Sequence, residues 1–143
     1  MPVDGLGDAF GAVARRLRSA SMAALSAYDV TPSQLRAIRV LAAHDAEGDR
    51  ASGGVRSKEL AEHLRIAPRS VTEVVDALES KGLVERSGDP ADRRATLVAL
   101  TRRGRELSEE VRRARGAESE RLFELLTATE RADLARILRK LLD

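Results

Sequence analysis

The stretch Ser57–Gly104, SKELAEHLRIAPRSVTEVVDALESKGLVERSGDPADRRATLVALTRRG, decides how this chain folds. It reads as two short helices with a tight turn, followed by a β-hairpin with a charged tip. Ser57 caps the first of these helices, and Leu60, Ala61 and Leu64 make its inner face. Ala61 matters because two helices that cross steeply at a tight turn need a small residue at the contact. Arg65-Ile66-Ala67 form the turn, with Ile66 plugging the core. Pro68 then starts the second helix, where its missing N–H is harmless. That helix runs to about Lys81, and Gly82 is placed to stop it.

In the second helix Val71, Val74, Val75 and Leu78 follow i, i+3, i+4, i+7 and fix the inward face. Arg69, Ser70, Thr72, Glu73, Asp76 and Ala77 remain outward. Two helices so arranged make a helix-turn-helix, whose second helix enters the DNA major groove with its N-terminal residues nearest the base edges. Arg69, Ser70, Thr72 and Glu73 sit there. Arginine reads guanine and phosphate, serine and threonine reach phosphate or base edges, and glutamate accepts from cytosine N4. Ser57 joins this DNA-binding set. The plain alternative is a solvated helix face, and the acids Glu73 and Asp76 repel phosphates.

Downstream, Leu83–Arg86 and Ala95–Leu100 are apolar and β-branched enough to pair as strands around the turn-rich Ser87–Arg94. A tip with adjacent arginines, Arg93 and Arg94, can reach the minor groove beside the helix. Asp89 and Asp92 in the same loop cap the turn and orient an arginine by a charge-assisted hydrogen bond. The expected fold class is mainly α with a small β-hairpin wing, a winged helix-turn-helix with a terminal-helix dimerisation region.

Working outward, residues 6 to 28 place Leu6, Phe10, Val13, Leu17, Ala20, Ala24, Leu25 and Tyr28 at helical spacing. Thr31-Pro32-Ser33-Gln34 opens a second helix with an N-cap, a first-turn proline and a capping box. Leu35, Ile38, Val40, Leu41 and Ala42 are its apolar face and His44 its end. A polar, glycine-rich loop covers Asp45–Gly54, and Val55-Arg56 form a short strand. Beyond Gly104 a helix runs to about Leu126 with a bend at Gly116, and Thr127–Glu130 is a capping box for a last helix. Leu134, Ile137, Leu138, Leu141 and Leu142 leave that helix too apolar for a monomer, so the terminal helices call for a second subunit, with core packing inside one subunit an alternative for part of the stripe only.

The composition suits helices packed at close range. At 143 residues the chain is one domain's length, and it buries roughly two thirds of its unfolded surface. With two Phe, one Tyr and no Trp, its core must come from Leu, Val, Ile and Ala. The absence of cysteine excludes disulfides, thiolate metal sites and thiol redox sensing, and two histidines leave little for metal chemistry. No cofactor is expected. No apolar run approaches the ~18 residues of a membrane span, and no signal peptide is visible, so a cytoplasmic protein with no membrane partner is expected. Net charge is only +2, but 22 of the 25 bases are arginine. That suits phosphate and guanine, although codon bias in a GC-rich genome explains the ratio as well.

These residues resemble the MarR family of bacterial transcription regulators. Its wing signature stands as Asp89-Pro90-Ala91-Asp92-Arg93-Arg94, followed by Leu100-Thr101-Arg102-Arg103-Gly104. Upstream, Leu78-Glu79-Ser80-Lys81-Gly82-Leu83-Val84 and the early Thr31-Pro32-x-Gln34 also fit, so the resemblance spans nearly the whole chain. It implies a homodimeric winged helix protein on palindromic double-stranded DNA, usually a repressor. The wing-tip contact would be Arg93, oriented by Asp92, with Arg94 beside it; Arg69, Ser70 and Thr72 would be recognition-helix contacts. It further implies a small aromatic or anionic effector bound between the dimer helices and the DNA-binding lobe, where Arg15, Arg16, Tyr28 and Arg39 are candidates. One departure stands out. Many members carry a base where this chain has Glu73, and often another at Ala77.

The expected organisation is one domain over 1–143, with a winged lobe over about 31–103 and dimerisation helices over about 4–28 and 104–143. Against an enzyme, no Ser-His-Asp set, paired-histidine motif or phosphate-cradling glycine loop is present. A winged module acting through protein–protein contacts is the alternative, and the wing arginines count against it.

Overall fold

Side chains next to the helix ends set most of the boundaries in the computed structural model, which describes residues 5–46 and 53–143. The order is α1 (Leu6–Leu25), α2 (Pro32–Ala46), β1 (Val55–Arg56), α3 (Ser57–Leu64), α4 (Pro68–Ser80), β2 (Val84–Asp89), β3 (Asp92–Leu100), α5 (Arg102–Phe123) and α6 (Ala128–Leu142). The expected class, helices with a small antiparallel sheet, is what the chain adopts.

Two capping boxes read from the sequence are formed. At α2 the Thr31 hydroxyl accepts from the Gln34 N–H at 3.2 Å, and the Gln34 side-chain oxygen accepts from the Thr31 N–H at 3.2 Å. At α6 Thr127 and Glu130 make the same exchange at 3.2 and 2.8 Å. Thr31→Ala is therefore expected to cost about 1 kcal/mol through an orphaned helix N–H. Urea unfolding measures this as a lower midpoint at unchanged slope; an unchanged midpoint would count against the cap.

Several boundaries differ from expectation, each for a local reason. α1 stops at Leu25, short of residue 28, because the Ser26 hydroxyl donates to the Ala23 carbonyl at 2.7 Å and competes with the helix ladder. α2 continues past His44 to Ala46, since Asp45 and Ala46 contain no helix breaker. Of the rest of the expected Asp45–Gly54 loop, Gly53 and Gly54 form a turn at φ 82° and 126° ahead of β1, and 47–52 lies outside the described residues. Ser57 does not cap α3: Arg56 holds the N-cap position, without a side-chain bond, and Ser57 is the first helical residue. α5 ends at Phe123, not near Leu126, and runs unbroken through Gly116.

The hairpin is longer than its composition suggests. Ser87, Gly88 and Asp89 have low strand propensity, yet the ladder started by the apolar base carries through them, and only Pro90 and Ala91 are left to turn. The pairs run from Val84↔Leu100 to Gly88↔Thr96, with a bulge before Asp89↔Asp92. β3 is central, because β1 pairs on its other side through Val55↔Val98 and Arg56↔Leu97.

The chain forms two compact units. One is Tyr28–Glu110, with a core where Ile38 and Leu41 of α2, Leu60 of α3, Val71, Val75 and Leu78 of α4, and Val84 and Val98 of the sheet are fully buried. Ile66 packs against that core from the helix-helix turn, as expected. The turn is tight because Arg65 takes a left-handed conformation, φ 54°, and lets the Ile66 N–H reach back to the Ala61 carbonyl at 3.1 Å. The buried Gln34 and half-buried Lys81 close this unit on another side: the Lys81 ammonium donates to the Gln34 oxygen at 2.8 Å and to the Asp29 carbonyl, joining the end of α4 to the start of α2.

The other unit joins residues 5–27 to 111–143. Among the described residues every exposed large apolar side chain belongs to it: Leu6, Phe10, Val13, Met22, Leu125, Ile137, Leu141 and Leu142. No residue of α6 is buried.

Candidate nucleic-acid interface

α4 is positioned by its apolar stripe, so its other side must face outward. Arg69, Thr72, Glu73 and Asp76 are exposed there, while Ser70 and Ala77 are half-buried at the edges of the stripe. The Thr72 hydroxyl donates to the Pro68 carbonyl at 3.1 Å, which leaves its oxygen free to accept. Arg69 and Glu73 meet no charged partner among the described residues. Ser57 is half-buried on the first turn of α3.

The second element is the hairpin tip. Asp89 and Asp92 each secure backbone there: Asp89 accepts from the Ala91 N–H at 2.9 Å and Asp92 from the Arg94 N–H at 3.0 Å. Both are aspartate turns of the kind a short polar side chain makes with the backbone two residues on. This corrects one expectation. Asp92 holds the turn and does not pair with the guanidinium of Arg93. The aspartate that orients an arginine is Asp89, and its partner is Arg56 of β1, at 2.9 Å from Nε and 2.8 Å from Nη2. Because Asp89 is only 10% exposed and sits at the bulge, this pair ties the base of the tip to the first strand. Arg93 and Arg94 stay exposed, and neither guanidinium meets a carboxylate among the described residues.

Two features were not singled out from the sequence. Arg65, at the turn between α3 and α4, is an exposed cation beside the outward face. Its signal lies in the Arg65-Ile66-Ala67 turn, where a cation directly precedes the core-plugging Ile66. Arg86 of β2 binds both Asp76 and Glu79 of α4, at 2.6 and 3.0 Å. Nothing in their spacing announces that link, since it depends on how β2 packs on α4.

The effector candidates fall in different units. Arg15 and Arg16 are exposed on α1; Arg16 lines a recess of about 200 Å³ with Leu17, Ala20, Glu118, Arg121, Leu122 and Leu125. Tyr28 is half-buried and Arg39 exposed in the Tyr28–Glu110 unit. A recess of about 310 Å³ in that unit, between α2 and the start of α5, includes neither. Among the described residues no cluster of His, Asp and Glu could hold a metal ion, and no helix is long and apolar enough to cross a membrane.

Known proteins share this arrangement. The sequence pattern of the MarR family matches residues 50–96, which contain α3, α4, β2 and the wing tip. The chain is 31% identical over 130 residues to the HTH-type transcriptional repressor MdtR of Bacillus subtilis, covering 91% of this chain and 79% of that protein. It is also 31% identical over 119 residues to the multiple antibiotic resistance protein MarR of Salmonella typhimurium, covering 82% and 77%. Among solved structures, wild-type MarR from E. coli superposes with a TM-score of 0.80 at 28% identity over all of both chains. The YusO protein of Bacillus subtilis gives 0.77 at 29%, over 95% of this chain and 91% of that one.

Proposed function

The chain belongs to the MarR family of transcriptional regulators, and from that premise we propose that it is a homodimeric repressor that binds an inverted-repeat DNA operator and is released by a small ligand. The observation that carries the reading is the pairing of an outward α4 face with a wing tip whose two arginines have no acidic partner among the described residues. Cations left unpaired on a scaffold this rich in acids suit an external polyanion. Arg69, Ser70, Thr72 and Glu73 would face the major groove, Ser57 the phosphates, and Arg93 and Arg94 the minor groove, with Asp92 fixing the tip between them.

Dimerisation is supported by where the exposed apolar surface lies. Among the described residues its large side chains all fall in the unit formed by residues 5–27 and 111–143, with Leu6 88% and Leu142 85% exposed. Obligate dimers commonly bury more than ~2,000 Å² of total surface, much of it apolar. Two copies about a twofold axis would place two α4 helices in successive major grooves about 34–36 Å apart. The chain would work in the cytoplasm as one domain, with the lobe from about 31 to 103 reading DNA and the flanking helices dimerising.

Selection of bound sequences from a random duplex pool tests this directly. The expected product is an inverted repeat bound by two chains, with affinity falling steeply as salt rises because counterions are released. Failure to retain any duplex would favour the protein-contact alternative. For the effector, a panel of aromatic acids should raise the melting temperature and release the operator; Arg15, Arg16, Tyr28 and Arg39 are the residues whose substitution should abolish that shift.

Glu73 gives a sharper test of the reading face. If it accepts from a cytosine N4, Glu73→Ala should erase one base preference in each half-site, worth about 1–3 kcal/mol per position. Repeating the selection checks it: an unchanged recovered sequence would remove Glu73 from the reading set.

A further inference from the structure

The outward side of α4 carries three acids, Glu73, Asp76 and Glu79, and the fold treats them differently. Arg86 spreads its planar guanidinium along one line of the helix surface, spaced i, i+4, i+7. Nη2 donates to the Thr72 carbonyl at 3.4 Å and to Asp76 Oδ1 at 2.6 Å. Nη1 donates to Glu79 Oε1 at 3.0 Å, and the Arg86 backbone N–H to Glu79 Oε2 at 3.3 Å. Glu73, nearer the start of the helix, has no such partner among the described residues.

The arginine side chain is 26% exposed, against 62% for Asp76 and 45% for Glu79, so the cluster is half in water. Pairs of that kind add only about 0–1 kcal/mol to folding. Their effect on a duplex is a different quantity. DNA carries one negative charge per ~1.7 Å of axis, so a bare carboxylate on a docked helix repels several phosphates at once. A strand residue whose one positive charge offsets half of the two held carboxylates changes that sum without touching the nucleic acid.

We infer that Arg86 is a positioning residue for DNA binding: by holding Asp76 and Glu79 it offsets half their charge, lowers their repulsion from the phosphates and leaves Glu73 as the acid of α4 without a held partner among the described residues. This rests on the DNA-binding reading proposed above. It also accounts for a recognition helix that carries acids where charge alone would favour bases.

The experiment measures affinity of the full chain for the duplex recovered by selection, with Arg86→Ala placed in the parent and in an Asp76→Asn/Glu79→Gln background. Melting temperatures are recorded alongside. In the parent, Arg86→Ala should weaken binding about tenfold or more at moderate salt with little change in melting. In the neutralised background the same substitution should change affinity by no more than about threefold, because no acid is left to unmask. Arg86→Met, which keeps the apolar stem, supplies the same comparison should the alanine variant fail to fold. Equal losses in both backgrounds would overturn the inference, marking Arg86 as a direct phosphate contact or a purely mechanical link; no loss in the parent would overturn it too. A parent chain that recovers no duplex overturns the DNA reading and this inference together, whereas a binding parent with no acid-dependent pattern overturns the inference alone.

Discussion

Replacing Gly104 with alanine is expected to lower the melting temperature by about 10 °C or more, a large effect for the addition of one methyl group. A Cβ built at Gly104 would lie 2.0 Å from the Leu83 carbonyl oxygen and 3.2 Å from a Leu100 methyl. Carbon and carbonyl oxygen rest at about 3.3–3.6 Å, so the first turn of α5 or the α4–β2 turn must move by more than an ångström. Neither can move freely. The Thr101 N–H donates to that same Leu83 oxygen at 3.0 Å, the Thr101 hydroxyl donates to the Gly82 carbonyl at 2.6 Å, and the Gly104 N–H donates to the Thr101 hydroxyl at 3.1 Å. Overpacking costs roughly 1–3 kcal/mol, and disturbing this bond set adds to it. A total near 3–4 kcal/mol is large beside a domain stability of about 5–15 kcal/mol, and each kcal/mol shifts melting by roughly 3–4 °C at this size. Calorimetry decides it: a shift within two or three degrees, as estimated from that scale, would mean the contact relaxes and the glycine is dispensable.

Arg93→Ala is expected to leave folding untouched and to weaken operator binding by about a hundredfold or more. The side chain is exposed and meets no carboxylate among the described residues, and substitutions at such positions usually stay within about 0.5 kcal/mol. On DNA each contact of this type is worth roughly 1–3 kcal/mol, and a dimer loses two. If each arginine neutralises one phosphate, the slope of log affinity against log salt should also become shallower by about 2. Full operator affinity and an unchanged slope in this variant would end the wing assignment. Asp92→Ala should act on the same step more weakly, through a loosened turn, because Asp92 holds the Arg94 N–H and not a guanidinium.

How much of this was legible in the sequence depends on the range of each interaction. Helix starts at Pro32, Pro68 and Ala128 were readable because caps and prolines act within four residues. The inward faces of α3 and α4 were readable because burial follows helical period, and Leu60, Leu64, Val71, Val75 and Leu78 are buried as that period requires. The hairpin tip was misjudged in extent, since Ser87, Gly88 and Asp89 read as loop by propensity but are strand by pairing. The end of α1 was missed because one serine hydroxyl outweighed a continuing apolar stripe.

By itself, then, the sequence determined the helices, their buried stripes, the tight turn and the two arginines at the wing tip, all consequences of spacing within a few residues. Only the tertiary structure decided which charges meet. Arg56 and Asp89 are 33 residues apart in the chain, and they pair because β1 and β2 flank β3 in a particular register. Arg86 reaches Asp76 and Glu79 because β2 turns back along α4. The Leu-Thr-x-x-Gly run was visible as a pattern from the start, but its reason, a helix resting against the Leu83 carbonyl with no room for a methyl group, exists only once the chain has folded. Charge pairing and close packing depend on where distant backbone segments come to rest, and no local spacing encodes that.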